Sequence, residues 1–165
     1  MRNVALLFEN YLRGKDLRLT KQRAEILRVI FATHRHISAD ELYEMLRQGK
    51  SKELRISRAT VYRTLSLLEE GGFIQGLDLG RDGGRLYEHV LGHDHHDHMV
   101  CLDCGRIIEF HDDELEAVQA RAVQRHGFVA RSHRLNIYGT CETCLSASQD
   151  QDKASSGNGA GAGEG

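Results

Sequence analysis

The sequence predicts an α+β protein in two parts, on three observations. Four stretches with apolar residues at helical spacing come first and lead into a pair of short strands joined by glycines. Short strands around a single helix follow them. Charge and ligand content change between the two parts: up to Arg85 there are 16 Lys+Arg against 11 Asp+Glu, and beyond it 6 against 13, with eight of the ten His. The first part can therefore face a polyanion, and the second can hold cations. With 165 residues and 40% hydrophobic content, the chain can fill one ordinary domain or two small ones.

Val4, Leu7, Phe8 and Tyr11 recur at i, i+3, i+4 and i+7, the stripe of a first helix that ends near Gly14. Thr20 is placed to cap a second, which carries Ile26, Leu27, Ile30 and Phe31. Ser38-Ala-Asp-Glu41 has the form of a capping box and opens a third helix with Leu42 and Leu46 on its buried side. Ser57 caps a fourth, striped by Val61, Leu65 and Leu68 and closed by Gly71-Gly72. Its other face carries Arg58, Tyr62, Arg63 and Ser66. Two strands, Phe73 to Leu79 and Arg85 to His89, flank Gly80-Arg-Asp-Gly-Gly84 as a hairpin with a basic tip. Three helices and such a ribbon make a winged helix-turn-helix, preceded here by one extra helix. The Arg-bearing helix then occupies the position that enters a major groove, with Arg58 and Arg63 toward phosphates or guanine edges and Tyr62 toward a thymine methyl.

In the second part, Met99 to Leu102 and Arg106 to Phe110 read as strands around a turn at Asp103-Cys-Gly105. Asp113 to His126 reads as a helix stopped by Gly127, and Phe128 to Tyr138 as a longer strand. This β-β-α-β order predicts a small α/β domain, an antiparallel sheet with a helix on one face. Residues 146–165 are Ser, Gln, Asp, Gly and Ala without an aromatic or branched apolar residue after Ser146, and are expected to form a disordered tail. The expected division is 1–88, 89–145 and that tail.

The run from His93 to Gly105 packs four His, three Asp and a C-x-x-C pair together, and Cys141 and Cys144 make a second pair. C-x-x-C spacing lets two sulfurs reach one tetrahedral ion, so Cys101, Cys104, Cys141 and Cys144 are expected to close a structural zinc site. The competing reading is a redox pair, which needs only one such motif. No apolar run is long enough to span a bilayer, and the N-terminus lacks signal-peptide order, so a cytoplasmic location with reduced thiols is expected. On an extended segment His96 and His98 project to one side and His95 and Asp97 to the other, so one run can feed two sites. Imidazole with carboxylate and no thiol favours Fe(II), Mn(II), Co(II) or Zn(II).

Taken together, His36-Ile-Ser-Ala-Asp-Glu-Leu-Tyr43, Ala59-Thr-Val-Tyr-Arg63, His95-His-Asp-His-Met-Val-Cys-Leu-Asp-Cys-Gly105, Ile108-Glu-Phe110 and the closing C-x-x-C resemble the ferric uptake regulator (Fur) family. The likeness runs from about residue 5 to 145. It implies a metal-dependent repressor that binds double-stranded DNA as a homodimer, with tetramers possible, through N-terminal winged helices and C-terminal dimerisation domains. Carried over by position, it implies a regulatory metal site of His36, Glu88, His96, His98 and Glu109. It implies an auxiliary one of His95, Asp97, Glu116 and His133, and a minor-groove role for Lys15. Two wings on a two-fold dimer would read a palindromic, A·T-rich operator. Ion and DNA would each favour the other by the same free energy, about 1 to 3 kcal/mol in the usual case.

The expected regulatory ion is Fe(II), with Mn(II), Co(II) or Zn(II) as substitutes, and the expected genes are those of iron uptake. The alternatives are a zinc- or peroxide-responsive regulator of the same family, a metal-dependent hydrolase, or a metal buffer that ignores DNA. A hydrolase needs an open metal position with a general base, and no nucleophile or substrate pocket is recognisable, so no small-molecule substrate, enzymatic activity or membrane partner is expected.

Overall fold

The computed structural model describes residues 2–79, 84–92 and 95–156. It divides into two compact units, Met1–Asp94 and His95–Gly165. The expected basic wing tip at 80–83, and His93 and Asp94 of the ligand-rich run, lie outside the described residues.

The first unit runs α1 (Arg2–Arg13), α2 (Lys21–Ala32), β1 (Ile37–Ser38), α3 (Ala39–Arg47), a 3-10 segment (Gly49–Leu54), α4 (Arg58–Glu70), β2 (Ile74–Asp78) and β3 (Arg85–His89). The caps read from sequence hold: Thr20 accepts the Arg23 N–H, Ser57 accepts that of Thr60, and the Ser38/Glu41 box is reciprocal. Its core gathers Phe8 and Leu12 from α1, Ile26, Leu27 and Ile30 from α2, Leu42 and Leu46 from α3, and Val61, Leu65 and Leu68 from α4. The stripe of α1 sits one step round from the expected one. Leu12 is buried and Leu7 is exposed, because Phe8 meets Phe73 edge-on at 5.2 Å and sets the rotation of the helix.

The strands order β1-β3-β2, all antiparallel. The two-residue β1 is too short to leave a periodic signal. Gly76, in the middle of β2, has a packing reason. A Cβ there would stand 2.3 Å from Arg85 Nε and 2.7 Å from a Glu69 oxygen, so glycine leaves room for the Arg85–Glu69 ion pair across the strand.

The second unit holds β4 (Asp97–Cys101), β5 (Ile107–Phe110), α5 (Asp113–Arg125), β6 (Asn136–Gly139) and α6 (Glu142–Ser156). The β4–β5 turn closes at Gly105, whose φ of +72° suits glycine. Asp112 caps α5 by accepting the N–H groups of Glu114 and Leu115.

Three expectations change here. The sheet is mixed rather than antiparallel: its order is β5-β4-β6, and β6 runs parallel to β4, because the chain passes over β4 by way of α5 before it re-enters. The long strand expected from Phe128 shortens to Asn136–Gly139, since β4 has only five residues and residues 128–135 find no partner strand among the described residues. The tail expected to be disordered from 146 is helical as far as Ser156. Within it Ser146 and Ser148 turn their hydroxyls onto the carbonyls of Glu142 and Leu145.

Candidate metal centres and recognition helix

The four thiols converge although the two pairs lie far apart in sequence. The β4–β5 hairpin supplies Cys101 and Cys104, and the chain after β6 supplies Cys141 and Cys144 at the start of α6. Cys101 Sγ lies 3.9 Å from Cys144 Sγ and Cys104 Sγ 3.8 Å from Cys141 Sγ, with all four within 4.8 Å of one another. Sulfurs bonded to tetrahedral zinc at about 2.3 Å stand about 3.8 Å apart, whereas a disulfide brings two of them to about 2.05 Å. These spacings fit the ion and not a disulfide.

Electrostatics agree. The Cys101 thiol is lowered to about 6, first by the Cys141 backbone N–H and then by that of Cys104. The Cys144 thiol is pushed up, first by its contact with the Cys141 thiol. One thiolate is prepared at Cys101 and Cys144 resists following it, which is the state a divalent cation relieves.

On the side of β4 that carries Asp97, His95 Nε2 lies 3.4 Å from Asp97 Oδ1 and 3.4 Å from Glu116 Oε1. His133 Nε2 is 3.1 Å from the same Glu116 oxygen, and the four ligand atoms lie within 4.8 Å of one another. Helix α5 delivers Glu116 and the segment before β6 delivers His133. Asp97 is only 2% exposed, and its Oδ1 accepts no hydrogen bond among the described residues, the His95 ring being its near neighbour. A buried carboxylate oxygen without a donor is costly unless a cation completes it.

The five residues of the expected regulatory site divide between the units. In the first, the β1–β3 register pairs Ile37 with Tyr87, which puts His36 beside Glu88 with Nε2 and Oε2 3.4 Å apart and both side chains mostly buried. In the second, the register pairs His98 with Glu109; His96 Nε2 is 4.0 Å from Glu109 Oε2, and the His96 and His98 rings are 5.0 Å apart. Each set alone is short of the four to six ligands a divalent ion takes.

Sequence reading missed Asn136. It pairs with His98 across β4–β6, on the opposite flank from Glu109, and its Oδ1 is buried without a donor among the described residues. Only the parallel pairing of β6 reveals it, and that pairing has no local signature. His89, also unassigned from sequence, is a core histidine stacked on Phe31 at 4.9 Å.

On α4, Arg58, Tyr62, Arg63 and Ser66 all face solvent. Arg58 is engaged by Asp40 and Glu44 of α3, and Arg63 makes no ion pair among the described residues. Lys15 is held by Glu70 at 2.5 Å, a contact that raises the ammonium pKa and lowers that of the carboxyl.

Known proteins similar to this chain give its family. The Ferric uptake regulator family model matches residues 14–138. The ferric uptake regulation protein of Campylobacter jejuni is 38% identical over 137 residues, which cover 83% of this chain and 85% of that protein. The solved Helicobacter pylori ferric uptake regulator, described as having three functional metal binding sites, has a TM-score of 0.65 at 35% identity, over 81% of this chain and 86% of that one. The Francisella tularensis regulator solved with iron has a TM-score of 0.61 at 34% identity, over 78% and 95%. Winged helix, four-thiol centre and His/carboxylate clusters thus occur together in a sequence that matches the family across both units, and the chain belongs to the ferric uptake regulator family.

Proposed function

We propose that this chain is an Fe(II)-responsive transcriptional repressor that binds a palindromic, A·T-rich operator as a homodimer in the cytoplasm and controls iron-uptake genes. Its family consists of transcription regulators, not enzymes. The observation that carries the reading is the separation of ligand chemistry. The four thiols of the chain gather within 4.8 Å of one another, and His95, Asp97, Glu116 and His133 gather as closely in a thiol-free set suited to a borderline divalent ion. Among the described residues no helix is long and apolar enough to cross a membrane.

In this reading Cys101, Cys104, Cys141 and Cys144 hold a structural zinc, and His95, Asp97, Glu116 and His133 hold an auxiliary ion. The regulatory ion takes His36 and Glu88 from residues 1–88 and His96, His98 and Glu109 from the dimerisation domain, 89–145. An ion that needs ligands from both can fix the presentation of α4, where Tyr62 and Arg63 meet the major groove, with Arg58 and Lys15 at phosphates and the minor groove. Ion and operator then stabilise the same state and each raises affinity for the other. The dimer is supported by Phe128 and Val129, exposed on a segment without a partner strand among the described residues.

The test is anaerobic operator binding of full-length protein with Fe(II), with Mn(II) as a stable stand-in, and without either. About a 5- to 150-fold gain on adding the ion is expected. Equal affinity with and without Fe(II) or Mn(II) overturns the reading, and a gain confined to a parallel Zn(II) arm would reassign the regulatory metal.

A further inference from the structure

Arg58 is the first residue of α4, and α4 has no acidic residue in its first turn. A cation at a helix N-terminus is opposed by the helix dipole, and the two positive charges together make a strong, sequence-blind phosphate site. In this molecule α3 answers that charge. Asp40 and Glu44 are four residues apart, on one face of the helix. The Arg58 guanidinium donates to Asp40 Oδ1, lies 3.9 Å from Glu44 Oε1 and sits over the Tyr43 ring at 4.8 Å. Arg47 shares Glu44 at 3.6 Å and is the other cation facing this group.

We infer that Asp40 and Glu44 are built-in counter-ions that compete with DNA phosphate for Arg58 and so lower the affinity of α4 for non-cognate DNA. The inference rests on the DNA-binding reading above. About half of each of the three side chains is exposed, so the clamp is weak enough for a well-placed phosphate to displace it. A phosphate met only in passing gains less, because the guanidinium must first leave two carboxylates. Specificity then comes from an intramolecular competitor as well as from contacts to the correct site.

A double-mutant cycle tests this. Binding of the Mn(II)-loaded full-length protein to a mixed-sequence duplex is measured by anisotropy over a KCl series. The proteins are wild type, Asp40→Asn/Glu44→Gln, Arg58→Gln and the triple variant, with Glu53→Gln as an exposed charge control. Circular dichroism confirms that each is folded. Removing both carboxylates is expected to tighten non-specific binding about threefold or more and to steepen the slope of log K against log salt by about 0.9, one phosphate contact. Arg58→Gln should weaken binding on its own, since this residue meets phosphate, and adding the two acid substitutions to it should bring no gain. If the gain survives in the triple variant, or if Glu53→Gln reproduces it, the acids act only through the general field and the inference falls. If wild type binds no duplex at any salt, the DNA-binding reading falls with it, a result distinct from additive effects in a protein that binds.

Discussion

The two units are held together by different means. The first buries an apolar core drawn from four helices and a sheet, with Phe8, Leu12, Ile26, Leu42, Leu65 and Leu68 out of solvent. The second buries little, and what it buries is mostly ligand: Asp97, His98, Val100 and Cys101, with no buried residue on α5. Hydrophobic burial is non-directional and distributed, so loss of one contact is shared among many. A site that clips a hairpin to the chain after the last strand is directional and indivisible. One unit is therefore expected to be robust and indifferent to metal, and the other to fold in proportion to its ions and to a partner chain.

Zinc removal breaks the comparison most sharply. Structural zinc in small peptides contributes about 10 to 16 kcal/mol of apparent binding free energy at neutral pH, and much of that is folding free energy. Cys101→Ser, or chelation under denaturing exchange, should abolish dimerisation and expose the amides of β4–β6 to hydrogen exchange while those of α2–α4 stay protected. Equal loss of protection in both units would show that they are not separately stabilised.

A core truncation is the converse. Leu65, fully buried in α4, should cost about 2 to 5 kcal/mol as Leu65→Ala, lowering the denaturant midpoint of the first unit while the zinc content of the purified protein stays unchanged. His96→Ala belongs between the two cases. It removes a ligand without emptying a core, so the dimer should remain folded while the gain in operator affinity on adding Mn(II), about 1 to 3 kcal/mol, is lost. Unfolding by His96→Ala would mean that this residue stabilises the unit and does not report the ion.

These expectations also mark what the sequence can disclose. Every cap and stripe in the first unit is a local pattern, and Thr20, Ser38 and Ser57 occur where the helices begin. The alternation that separates His96 and His98 from His95 and Asp97 is local too, as is C-x-x-C spacing. What could not be read depends on pairing across the chain: the two-residue β1, the parallel entry of β6 that sets Asn136 beside His98, and the short strand left where a long one was expected. The engagement of Arg58 by α3 is of the same kind, since charge counts show a basic helix and not which acids stand against it.

The smallest expected effect joins a cap to a ligand. Ser38 ends β1, caps α3 and follows His36 by two residues, so its box with Glu41 steadies the strand that sets His36 against Glu88. Ser38→Ala should cost about 1 kcal/mol. The acid limb of stability reads the other half of the box, because the Glu41 carboxyl is lowered first by the Ser38 backbone N–H, which alanine keeps. A carboxyl lowered on folding binds fewer protons in the native state. Its contribution is therefore complete above the unfolded value of about 4.3 and is lost as pH falls through the folded one. Ser38→Ala should therefore leave most of the drop in thermal midpoint between pH 5 and 3 in place. Glu41→Gln, which keeps a hydrogen-bonding side chain without the charge, should shrink the same drop at less cost near neutrality. An unchanged acid limb in Glu41→Gln would place the acid sensitivity of this unit elsewhere.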